Sequence, residues 1–100
     1  MKNKVYVERY AERLIAGDKL AVAELFECFV NEYNADAKRL HVTTNETANR
    51  LLSEYNRKGN ELANMMRVKT GMTILNQNWF SRAVQFIREA ENGGAENDKP

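Results

Sequence analysis

The sequence is poor in the residues that make covalent or metal-held structure. It has one cysteine, one histidine and one proline in 100 residues. A single cysteine, Cys28, excludes an internal disulfide and suits a reducing compartment. With one Cys and one His, four protein ligands of the Cys/His type cannot be assembled around zinc. Net charge is scarce too. Fifteen Lys and Arg against fourteen Asp and Glu leave +1, which gives no global field to draw the molecule onto nucleic acid or anionic lipid. No apolar run approaches the roughly 20 residues that cross a bilayer. Charge within Val5-Tyr6-Val7-Glu8-Arg9 interrupts any signal-peptide core. A cytoplasmic protein without membrane contact is the expectation.

What is present is a good core-forming composition, with 43% apolar and 9% aromatic residues, enough for one small domain. Val7, Tyr10, Ala11 and Leu14 recur at helical spacing, predicting a first helix over about 4–16, with Tyr6 off its best face. Gly17 supplies a stop and Asp18 an N-cap. Val22, Leu25, Phe26, Phe29, Val30 and Tyr33 form the cleanest stripe and predict the central helix, 19 to about 33. Periodicity lapses over 34–43, where Leu40 to Thr43 reads as a short extended piece. Thr43 and Glu46 have capping-box spacing, so a third helix begins near Thr44 with Ala48, Leu51, Leu52 and Tyr55 inward. Gly59, after Arg57 and Lys58, reads as its stop.

Asn60 then caps a fourth helix carrying Leu62, Ala63, Met65 and Met66. It runs to about Lys69, followed by an extended link, with a hairpin at Thr70-Gly71 as the other reading. Asn76 or Asn78 caps a last helix whose face is Phe80, Ala83, Val84 and Ile87. It ends at Gly93-Gly94, and 93–100 is expected to be a disordered tail. The fold expected is all-α: a compact bundle of about five short helices over residues 1–92. A helix-turn-helix-like pair, and a minor extended segment near 39–43 or 67–75, are the variants this pattern leaves open.

Catalytic motifs are lacking. The five glycines are scattered and form no phosphate cradle, and neither Gly-x-Ser-x-Gly nor His-Glu-x-x-His occurs. Cys28 sits mid-helix, a poor place for an activated thiolate. His41 reads as a loop residue. Glu24, Glu27 and Glu32 read as a solvated helix face. No enzyme activity and no cofactor or metal is expected.

Charge is unevenly spread. Residues 1–37 hold five basic and seven acidic side chains, residues 38–69 seven and three, and residues 70–100 three and four. The basic set is Lys38, Arg39, Arg50, Arg57, Lys58, Arg67 and Lys69, interleaved with Asn45, Asn49, Asn56, Asn60 and Asn64. Arg and Asn suit phosphates and base edges. A helix-turn-helix is one reading, with 44–55 as first helix and 60–69 as recognition helix. The likeness is architectural, and the interval from Ala48 to Gly59 does not match the motif's alanine-to-glycine spacing.

The second feature is apolar. Trp79 and Phe86 widen the last helix's face beyond one core contact, with Met72 just upstream. Such residues anchor protein interfaces. The leading expectation is a non-enzymatic binding protein. It would be a stoichiometric regulator, adaptor or inhibitor, of the kind phages and plasmids carry, docking on a larger protein or nucleoprotein complex. The polar contacts would be Arg50, Arg57, Lys58, Arg67, Lys69, Asn60 and Asn64, and the apolar ones Trp79, Phe86 and Met72. The alternative is a DNA-binding helix-turn-helix regulator. A homodimer would let two basic patches add.

Overall fold

The computed structural model describes residues 2–97. It is an all-α bundle of four helices: α1 Asn3–Ile15, α2 Lys19–Arg39, α3 Asn45–Thr70 and α4 Trp79–Asn97. No strand occurs among the described residues. α4 continues through Gly93 and Gly94 to Asn97, past the expected stop. The rest of the expected tail, 98–100, lies outside the described residues.

Local chemistry sets the helix ends. Gly17 takes φ 78° at the turn after α1, a conformation open to glycine at no steric cost. The Asp18 carboxylate then accepts from the Leu20 backbone N–H at 3.0 Å, as an N-cap should. Arg13 braces the same corner, reaching Asp18 at 2.9 Å and Glu24 at 2.6 Å. Its guanidinium holds both carboxyls below their usual range.

α2 outruns its expected end by two turns. Asp36 accepts a hydrogen bond from the Tyr55 hydroxyl, and Ala37 packs against the core, so residues 34–39 are docked on α3. The predicted extended piece is instead the helix's C-cap. His41 takes φ 52°, its N–H donates to Lys38 O, and Val42 N–H donates to Ala37 O. That pairing is a Schellman motif with histidine in the left-handed place. The cap of α3 falls one residue later than predicted. Thr44 accepts from Thr47 N–H at 3.2 Å, and Thr47, not Glu46, completes the box.

Gly59 departs most from expectation. It does not stop a helix: α3 runs through it for 26 residues. The third and fourth predicted helices are therefore one, and the count is four. The helix-turn-helix assignment loses its turn with them. Leu51, Tyr55, Gly59, Leu62 and Met66 are the buried line of this helix. A Cβ on Gly59 would sit 3.3 Å from both Phe80 Cβ and Trp79 Nε1. Glycine is there because α4 approaches that closely. At the other end Gly71 takes φ 72° as C-cap, so the link reading holds and the hairpin does not form.

The core is a chain of rings around Phe29, which is fully buried. Its centroid lies 5.0 Å from Trp79, 5.3 Å from Phe80, 5.4 Å from Tyr6 and 5.7 Å from Tyr55. Every helix supplies a ring to that cluster, and the tilted geometries suit the ring quadrupoles. Tyr6, off the expected face, belongs to this core.

Two outcomes follow. Gly59→Leu should overpack the α3–α4 contact and cost about 1–3 kcal/mol. Gly59→Ala should stay within about 1 kcal/mol of wild type, since helix propensity offsets the tight contacts. Denaturant midpoints measure both. For pH, the Tyr55 hydrogen bond lowers the Asp36 carboxyl below its ordinary 3.8. A carboxyl lowered in the folded state stabilises above its ordinary value and loses that contribution as pH falls through the lowered one. Tyr55→Phe should therefore flatten the fall in melting temperature below about pH 4.

Candidate functional site

Three hydrogen bonds clasp α3 to the start of α4. Ser81 Oγ donates to Asn56 Oδ1 at 2.8 Å, Trp79 Nε1 to the Gly59 carbonyl at 2.7 Å, and Asn78 N–H to Asn60 Oδ1 at 2.8 Å. The middle bond is buried. It exists because the glycine lets the indole reach a helix carbonyl. The third holds Asn78 at φ 61°, and the Asn60 amide returns a longer bond to Asn78 Oδ1 at 3.3 Å. Asn60 is thus a clamp on the 72–78 loop rather than a helix cap.

That clamp opens a polar cleft beside α3. It holds about 350 Å³ between Asn60, Asn64 and Arg67 on the helix and Thr73, Asn76 and Gln77 on the loop. Ala63 and Leu75 form its apolar part. Arg67 makes one long bond, to Asn64 Oδ1 at 3.4 Å, which leaves most of its five donors for a ligand. The loop is held from its far side by Arg82, which donates to the Gln77 carbonyl at 2.9 Å. Amides, a hydroxyl and a guanidinium recognise by hydrogen bonding.

The remaining basic residues do not converge there. At 1.5 Å per residue, Arg50 and Arg67 lie about 25 Å apart along the helix, and at about 100° per residue Arg67 and Lys69 point to opposite sides. Arg50 pairs with Glu46 at 3.5 Å and Arg57 with Glu61 at 3.0 Å. Exposed pairs of this kind contribute little to stability, but they cancel local charge. The Lys58 ammonium stands 4.8 Å over the Tyr55 ring, and its carbonyl accepts from Asn3 Nδ2 at 2.9 Å. Of the seven polar positions singled out from sequence, the cleft gathers Asn60, Asn64 and Arg67.

The apolar trio divides. Trp79 is 3% exposed and is core, so its place in an interface is withdrawn. Its rings pack on Phe26 at 5.2 Å and on Phe29. Phe86 is 70% exposed and Met72 45%. Phe86 overlooks a second cleft of about 310 Å³, with Phe26, Ile74, Leu75 and Ala83, that meets the polar one at Leu75 and Asn76. Sequence reasoning missed Asn76 and Gln77 as wall residues. Their cue was the amide-rich Asn76-Gln77-Asn78 run, read then as a cap.

The potential reactive groups lie elsewhere and apart. Cys28 is half-buried, 3.6 Å from the Tyr10 hydroxyl. His41 is in the α2 cap, and Glu24 is engaged by Arg13. Among the described residues no three His, Cys, Asp or Glu side chains group as a metal site, and no helix is long and apolar enough to cross a membrane. Comparison with known proteins gives no match to a family model, a curated protein or a solved structure.

Exchanging the two rings separates their roles. Trp79→Ser should abolish cooperative unfolding or cost about 3–5 kcal/mol. Phe86→Ser, at a 70% exposed position, should leave the helical circular dichroism and cooperative unfolding intact.

Proposed function

We propose that this chain is a non-enzymatic docking protein of the cytoplasm. It acts as a stoichiometric regulator by covering a site on a larger protein. The observation that carries this reading is the preorganised polar cleft. Asn76 and Gln77 stand on a loop that the Asn60–Asn78 clamp ties to α3, opposite Asn64 and Arg67, so the backbone walls of the cleft need little ordering on binding. Arg67 as the charged donor, with amides around it, suits partner carboxylates and backbone carbonyls. A rigid, compact surface of this kind acts by steric or competitive occlusion.

A protein partner is favoured over DNA by the arrangement of charge. Phosphate attraction supplies much of DNA affinity. Here Arg50 and Arg57 are neutralised within the helix, and the remaining cations face different ways.

Affinity capture from a lysate of the source organism, with and without nuclease, tests the reading. The expected result is a protein retained after nuclease treatment and lost with Arg67→Glu or Asn64→Ala, while circular dichroism is unchanged. Capture that vanishes with nuclease and weakens steeply with salt would replace this reading with nucleic-acid binding. So would Arg57→Ala weakening binding as much as Arg67→Glu.

A further inference from the structure

A second surface is not used by the polar cleft. α2 and α4 leave between them an apolar groove of about 580 Å³, lined by Val22, Ala23 and Phe26 on one side and Phe86 and Ile87 on the other. Phe86 at its rim is 70% exposed, and Leu20 at the start of α2 is 69% exposed. Lys19 and Glu27 also line the groove. Apolar surface gathered in this way marks a place that a partner covers.

We propose that a second copy of this chain covers the groove, with α2 packing antiparallel on the partner's α2 about a twofold axis at Ala23. The register comes from the row Lys19, Ala23, Glu27, spaced four residues apart on one helix face. In an antiparallel pair centred on Ala23, Lys19 lies level with Glu27 of the partner subunit, and the twofold repeats the pairing. One row thus supplies both charges of two ion pairs, the self-complementarity that an isologous interface needs. Parallel packing would set Lys19 beside its own copy.

The neighbouring carboxylates Asp18 and Glu24 are engaged by Arg13, whereas neither Lys19 nor Glu27 has an ion pair among the described residues. Ala23, exposed and small, lets the two helix axes approach closely, as a larger side chain at the crossing point would not. The approach brings the partner's helix over Phe26 and Phe86. The groove shares no lining residue with the cleft at Arg67, so the inference does not rest on the docking role proposed above.

Sedimentation or light scattering of the full chain over a concentration series tests it. The expected species is a dimer. Ala23→Arg should give a monomer with unchanged helical circular dichroism. Glu27→Lys, which opposes like charges twice, should weaken dimerisation about tenfold or more. The swap Lys19→Glu with Glu27→Lys should restore it. If Ala23→Arg fails to fold, the charge variants decide alone. A wild-type chain that stays monomeric throughout the series overturns the proposal. So does a dimer indifferent to Glu27→Lys.

Discussion

The bond from the Trp79 indole to the Gly59 carbonyl is the contact on which the rest of the molecule leans. A carbonyl in mid-helix already accepts from its own helix. Reaching it from outside requires that nothing stand beside the Cα. Glycine meets that requirement at a cost of roughly 1 kcal/mol in helix propensity. In return the largest side chain in the protein is buried with its one donor satisfied. A buried indole N–H without a partner would cost as much or more. Glycine and tryptophan are therefore one device. A side chain larger than alanine's at position 59 would displace the indole, and loss of the indole would leave a void beside the glycine.

That device fixes more than a core contact. Residues 59 and 79 are the middle rung of three, with 56–81 and 60–78 on either side. Once the indole is seated, Asn78 is brought against Asn60, and the loop from 72 to 78 has little freedom left. The polar cleft is a consequence of that geometry. Its floor is α3 and its wall is a loop whose path is dictated by where the tryptophan sits. Core packing and surface shape are coupled here through three hydrogen bonds that sit within a few residues of one another on α3 and at the start of α4.

This coupling also explains what the sequence could and could not reveal. The stripes Val7-Tyr10-Ala11-Leu14 and Val22-Leu25-Phe26-Phe29-Val30-Tyr33 announce helices with one wet side; the first is buried, and the second is buried but for Val22 and Phe26, which are half-buried against the core. The cap at Asp18 is local chemistry and legible for that reason, whereas Gly71, weighed as a hairpin turn, is a helix C-cap. Gly59 was misread because a stop and a close approach use the same residue. What distinguishes them is whether the apolar line continues. Leu51, Tyr55, Gly59, Leu62 and Met66 keep unbroken helical spacing across the glycine, and a true stop would have reset it. The reach of α2 to Arg39 was hidden because it depends on a long-range partner, Tyr55 with Asp36. Trp79 and Phe86 have similar side chains on one helix and opposite fates. Only the position of α3 and α2 decides between them.

The same logic bears on charge. A count along the sequence gathers seven cations between residues 38 and 69 and suggests a basic face. In three dimensions Lys38 and Arg39 end α2, the 26-residue α3 distributes the other five around its circumference, and the acidic residues four positions away take up Arg50 and Arg57. Spacing of four brings opposite charges within reach on an exposed helix, so a local excess of Arg and Lys makes less of a field where Glu stands one turn away. Arg67 has no Glu at that spacing. It faces Asn64 and the loop, a polar but uncharged setting. Its charge remains available to something outside the fold, and it stands in the cleft that the tryptophan's position creates.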